Sequence, residues 1–89
     1  MGRRRGAPAK LILYTRSNCH LCDQAKALLA RLQQHAPFEI EERDVDTDPA
    51  WLERYGSQVP VGVINDRKIF KYRVVRERLY KALESRTER

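Results

Sequence analysis

The chain has 89 residues, which is one small domain, and its 42% hydrophobic content is enough to build a core, so a disordered chain is excluded. The net charge is +6 with 34% charged residues. Without interleaved aromatic and basic residues, that charge reads as a solvated surface open to anionic partners such as acidic peptides or glutathione carboxylates; nucleic acid is not favoured. The longest purely apolar run, Leu11-Ile12-Leu13-Tyr14, is far too short to span a membrane.

Residues 1–9 form a flexible basic leader carrying Arg3, Arg4 and Arg5. No apolar segment follows these arginines, so the leader is not a secretory or twin-arginine signal, and a cytoplasmic location is expected. Residues 10–86 then form the domain. Lys10–Thr15 reads as a buried strand broken by Arg16-Ser17-Asn18. Leu21, Ala25, Leu28, Leu29 and Leu32 recur at helical spacing, and Asp23 suits the positive end of that helix. Phe38–Val45 begins as an alternation of apolar and acidic residues, a strand with one wet face near a sheet edge. Strand, helix and strand in this order imply a right-handed parallel crossover. Thr47-Asp48-Pro49 opens a short helix, Pro49–Tyr55, with Trp51, Leu52 and Tyr55 inward and Gly56 ending it through a positive φ. Trp51 reads as packing under this helix, and Tyr14 as packing at a strand end. Val59–Ile64 and Lys68–Tyr72 are a hairpin around Asn65-Asp66-Arg67. The last helix, Val74–Ser85, places Val75, Leu79, Ala82 and Leu83 on one face and allows Glu77 to pair with Lys81. The order β-α-β-α-β-β-α gives an α/β fold, a four-stranded mixed sheet with helices on both faces.

The two cysteines form the run Cys19-His20-Leu21-Cys22, where the first strand gives way to the first helix. Unpaired N–H groups and the dipole at a helix start favour thiolate over thiol. A free cysteine titrates near ~8.5, and such a setting lowers that by one to several units. Arg16 and His20 add positive charge nearby. Cys19 is the expected nucleophile and Cys22, one turn on and less exposed, the resolving thiol. Metal is the rival reading. A structural zinc site needs four ligands, and only His20 and His35 remain to supply them, which leaves a metal or iron–sulfur cluster shared between two copies through Cys19. Attached haem is disfavoured because Asp23 follows Cys22. A non-enzymatic adaptor with the dithiol as a redox switch also stays open. Val59-Pro60 alone is a strand start.

The run Leu11–Cys22, together with Val59-Pro60, resembles the glutaredoxin family of the thioredoxin-fold superfamily, in order and spacing from about Lys10 to Ser85. The likeness is greatest to the short glutaredoxin-like proteins. The resemblance implies a thiol–disulfide oxidoreductase or electron carrier with a redox-active Cys19–Cys22 disulfide. It also implies a cis Pro60 facing the cysteines, and a Val59 backbone that pairs with an extended substrate. Arg16 falls where glutaredoxins carry a basic residue that assists the thiolate or contacts glutathione. Implied substrates are protein disulfides and glutathione mixed disulfides. A thioredoxin- or glutathione-type system would supply electrons, with no cofactor built in. Three stretches depart from the family pattern. His20-Leu21 replaces Pro-Tyr, and Gln58 replaces Thr. Tyr72-Arg73-Val74-Val75-Arg76 stands where a Gly-Gly turn and acidic residues grip glutathione; Arg73 and Arg76 offer cations to carboxylates instead.

Overall fold

Leu11 and Leu13 point to one side of the first strand and Ile12 and Tyr14 to the other, so that strand is apolar on both faces and must be central. The structure is a computed structural model and describes residues 9–86. The expected leader lies outside the described residues, apart from Ala9, which opens β1 (Ala9–Thr15). Helix α1 (His20–Leu32) carries the chain across to β2 (Phe38–Asp44), which pairs with β1 in parallel from Ala9↔Phe38 to Thr15↔Asp44. A 3-10 turn, Val45–Thr47, leads to α2 (Pro49–Tyr55). The hairpin β3 (Val61–Ile64) and β4 (Arg67–Lys71) follows, and α3 (Arg76–Arg86) closes the domain. The sheet order is β2-β1-β3-β4, with β3 antiparallel to both neighbours. This is the expected mixed sheet, with β2 on an edge.

Two cores sit on opposite faces. Leu11 and Leu13 meet Leu29 and Leu32 of α1 and Leu79 of α3 on one side. Tyr14, Val61 and Val63 meet Tyr55 of α2 and Val45 on the other, with Trp51 packed against them. Asp48 caps α2 by accepting the Ala50 N–H at 2.9 Å, and Pro49 takes the first helical position. Asn65 and Asp66 both adopt positive φ, which gives the hairpin a two-residue turn whose twist matches its strands.

Several expectations need correction. Leu21 is 39% exposed; Cys22, not Leu21, joins Ala25, Leu29 and Leu32 on the buried face of α1. Leu52 is likewise exposed. Gly56 has φ −52, so it does not use its left-handed freedom. Its missing side chain matters instead, because a Cβ would stand 2.5 Å from the Leu52 carbonyl oxygen. β3 starts at Val61, since Val59 and Pro60 precede the ladder. β4 runs from Arg67 to Lys71, leaving Tyr72 outside it. β2 stops at Asp44 because Val45 turns inward to open the 3-10 turn. α3 begins at Arg76, so Val75 is an exposed residue before the helix. Glu77 and Lys81 form no ion pair among the described residues.

Candidate functional site

The strand-to-helix corner is made by Asn18, whose φ of 56 is a conformation that asparagine tolerates, and by Cys19, which stays extended as the N-cap of α1. An N-cap side chain points back at the first free N–H groups of its helix. Here that side chain is a thiol sulfur, and the Cys22 N–H donates to Cys19 Sγ at 3.0 Å. The Asp23 N–H donates to the Cys19 carbonyl oxygen at 3.1 Å and starts the helical ladder. Cys19 and Cys22 are joined by a disulfide with their Cα atoms 5.1 Å apart. Their surroundings differ: Cys19 is half-buried, whereas Cys22 is 1% exposed. His20 and Leu21 between them face solvent.

Pro60 comes to the same end of the sheet. Tyr14 pairs with Val61, so one step further puts Pro60 across from Thr15, the last residue of β1 before the cysteine corner. The Val59–Pro60 peptide bond is cis, the form that the family resemblance implies. Pro60 is buried, and Val59 is half-buried against the α2-side core. The N–H and carbonyl of Val59 take part in no backbone hydrogen bond among the described residues. Tyr72 was not singled out as a site residue, yet its N–H donates to both Gln58 O, at 3.1 Å, and Pro60 O, at 2.9 Å. It does so with φ 71, in the left-handed region, at the position where the resembled family has glycine. That coincidence is the signal that could have found it.

Arg16 is exposed, and its guanidinium is taken up by Asp46 of the 3-10 turn, with Nη2 at 3.0 Å and Nε at 3.3 Å from the carboxylate oxygens. Behind the corner, Glu42 Oε2 accepts from Thr15 Oγ1 at 2.9 Å and from Lys26 Nζ at 3.2 Å. On the other face, Arg43 lies 5.1 Å from the Trp51 ring centroid and donates to Tyr14 Oη at 3.2 Å. Arg43 also bonds Glu41 at 2.7 Å. That bond, helped by Lys10, holds the Glu41 carboxyl below its usual range; the same bond holds the Arg43 guanidinium above its own. Tyr14 packs with Trp51 and Tyr55, as the packing reading of both Tyr14 and Trp51 expects. Among the described residues, no three His, Cys, Asp or Glu side chains converge as a metal site.

Comparison with known proteins adds relatives to this geometry. A family described as "Glutaredoxin-like domain (DUF836)" matches residues 10–84. A glutaredoxin-like protein of Dictyostelium discoideum is 35% identical over a 78-residue alignment, with 81% of this chain and 72% of that protein covered. The solution NMR structure of a Nitrosomonas europaea protein superposes with a TM-score of 0.80 at 30% identity, covering 86% of this chain and 93% of that one. The X-ray structure of a protein from X. campestris superposes with a TM-score of 0.64 at 33% identity, covering 84% and 96%.

Proposed function

The chain belongs to the glutaredoxin-like domain family and has a thioredoxin-like fold, and from that premise we propose that it is a small dithiol oxidoreductase or electron carrier. One observation carries the reading: a half-buried N-cap sulfur receives the Cys22 N–H and is already joined to a buried sulfur one turn along the same helix.

In the reduced protein the Cys19 thiolate attacks one sulfur of a substrate disulfide and expels the other as a thiolate. Cys22, losing its proton, then attacks Cys19 Sγ, expels the second substrate thiolate and closes the Cys19–Cys22 bond. Each turnover oxidises two protein thiols to one disulfide and reduces one substrate disulfide to two thiols. The two protons pass to the products. One thioredoxin-type dithiol, or two molecules of glutathione oxidised to its disulfide, returns the pair to its thiol form. The unpaired N–H and carbonyl of Val59 support a substrate segment pairing along this stretch, with Pro60 shaping the groove behind it. Arg16, bridged to Asp46, steadies the corner before Cys19. The reading calls for no cofactor beyond the dithiol, with glutathione as a co-reactant or as part of a mixed-disulfide substrate. It suits a reducing compartment such as the cytoplasm. No described helix is long and apolar enough to cross a membrane.

The test is mutational. Cys22→Ser, incubated with a disulfide substrate, accumulates a mixed disulfide at Cys19 that mass spectrometry identifies, and Cys19→Ser accumulates none. Trapping at Cys22 in Cys19→Ser, with none at Cys19 in the other variant, would overturn the assignment.

A further inference from the structure

We propose that the groove between α1 and the segment joining β4 to α3 takes an extended stretch of a protein substrate, one carrying an apolar side chain beside a carboxylate. This rests on the dithiol reading above and names the substrate class of that same site.

The groove encloses about 270 Å3; one wall is α1, which Cys19 caps, and the other is tied through Tyr72 to Pro60. Leu21, which lies between the two cysteines, forms one end. Tyr72 forms the other wall, and its N–H is held by Gln58 O and Pro60 O. Leu21 lies two residues from Cys19, so the neighbours of a substrate cysteine joined to Cys19 would be beside the Leu21 end of the groove. Leu28 and Val74 give the lining an apolar character, while Leu21 and Tyr72 leave 39% and 45% of their surface in water. Covering those surfaces favours an apolar side chain.

The charge around the groove selects the neighbour of that side chain. Arg73 is the one charged residue in the lining, and no carboxylate lines it. All four ion pairs among the described residues use acids of β2 or of the turn after it: Lys10–Glu41, Arg16–Asp46, Lys26–Glu42 and Arg43–Glu41. Arg73, and Lys71 and Arg76 beside it, take part in none of them. The paired acids thus lie along β2 and the turn after it, while the groove lining holds the Arg73 guanidinium and no carboxylate of its own, which attracts a carboxylate. Glutathione also has carboxylates, but it brings no apolar side chain to set against Leu21, Leu28 and Val74. A peptide with leucine and aspartate beside its cysteine meets both requirements.

The experiment measures how fast the reduced protein reduces synthetic peptides, each with its cysteine held as a mixed disulfide with 2-mercaptoethanol. The flanking pair is Leu-Asp, Leu-Lys or Ser-Asp. Glutathione in the same mixed disulfide and bis(2-hydroxyethyl) disulfide complete the set. The Leu-Asp peptide is expected to react about fivefold faster than either other peptide, and faster than the glutathione form. Arg73→Glu brings the Leu-Asp to Leu-Lys ratio to one or below. Arg31→Glu, with the same change of charge at the far end of α1, keeps the wild-type ratio. Equal peptide rates, a glutathione form that is fastest, a ratio that survives Arg73→Glu, or one that falls equally in Arg31→Glu would each overturn the proposal while the dithiol reading stands. Failure to reduce even bis(2-hydroxyethyl) disulfide would remove the dithiol reading, and this inference with it.

Discussion

Two sulfurs three residues apart acquire different surroundings because a helix turns between them. Cys19 caps the helix and keeps contact with solvent, whereas Cys22 sits on the inward face beside Ala25. Other single residues show the same dependence on local setting. Tyr72 has φ 71, a region in which a Cβ is strained by roughly 1 kcal/mol or more. Tyr72→Gly is therefore expected to be more stable than Tyr72→Ala by about 1 kcal/mol in urea unfolding, since both lose the ring and only glycine sheds the strain. An alanine variant as stable as the glycine variant would contradict this. Glu41 titrates below its usual range, chiefly through its bond to Arg43 and then through Lys10. A carboxyl depressed by folding stabilises the native state above the ordinary carboxylate range, and that contribution is lost as pH falls through the depressed midpoint. An NMR titration is expected to place the Glu41 midpoint below that of a free glutamate. Arg43→Met is expected to raise it more than Lys10→Met does.

At the scale of elements, the hairpin shows how one missing side chain fixes a strand. Ile69 has no partner in the β3 ladder, so β4 bulges between the Gly62–Phe70 and Val63–Lys68 pairs. The bulge lets the consecutive residues Ile69 and Phe70 both reach the α1–α3 core, and the Phe70 ring lies over Gly62. A Cβ at position 62 would overlap that ring. Gly62→Ala is expected to lose about 1–3 kcal/mol, more than the roughly 0.5–1 kcal/mol that alanine gains from its stiffer backbone. Denaturant midpoints measure the difference, and an unchanged midpoint would show that the ring moves aside freely. This bulge was not legible in the sequence, because no periodicity announces which residue of Lys68–Tyr72 is the extra one. β1, by contrast, was legible, since its run of apolar residues suits a strand covered on both faces. The first helix was legible in its spacing but not in its phase. A five-residue apolar set fits more than one stripe, and the inward phase goes to Cys22 rather than Leu21. Gly56 was located correctly and explained wrongly: sequence marks a glycine at a helix end without saying whether torsion or space requires it.

For the whole molecule, the sheet order brings together residues far apart in the chain. Crossing β1 to the middle and returning β3 beside it sets Pro60 level with the end of β1, next to the corner that carries Cys19. The cysteine corner could be read from the sequence, because strand, polar break and helix follow one another directly. The second wall could not, since the contact of Tyr72 with Gln58 and Pro60 joins segments more than ten residues apart through a backbone turn that no side-chain pattern encodes. Charge divides the domain as well, with ion pairs along β2 and, between β4 and α3, Arg73 in no ion pair among the described residues. These features serve one claim, that the helix start makes Cys19 the reactive sulfur while packing withholds Cys22. The most direct test is alkylation of the reduced protein with iodoacetamide across a pH series, with the modified cysteine identified by peptide mass spectrometry. The account predicts that Cys19 is modified first, with a midpoint below the ~8.5 of a free cysteine, while Cys22 stays protected. Equal modification of both, or a Cys19 midpoint at or above the free value, would contradict it.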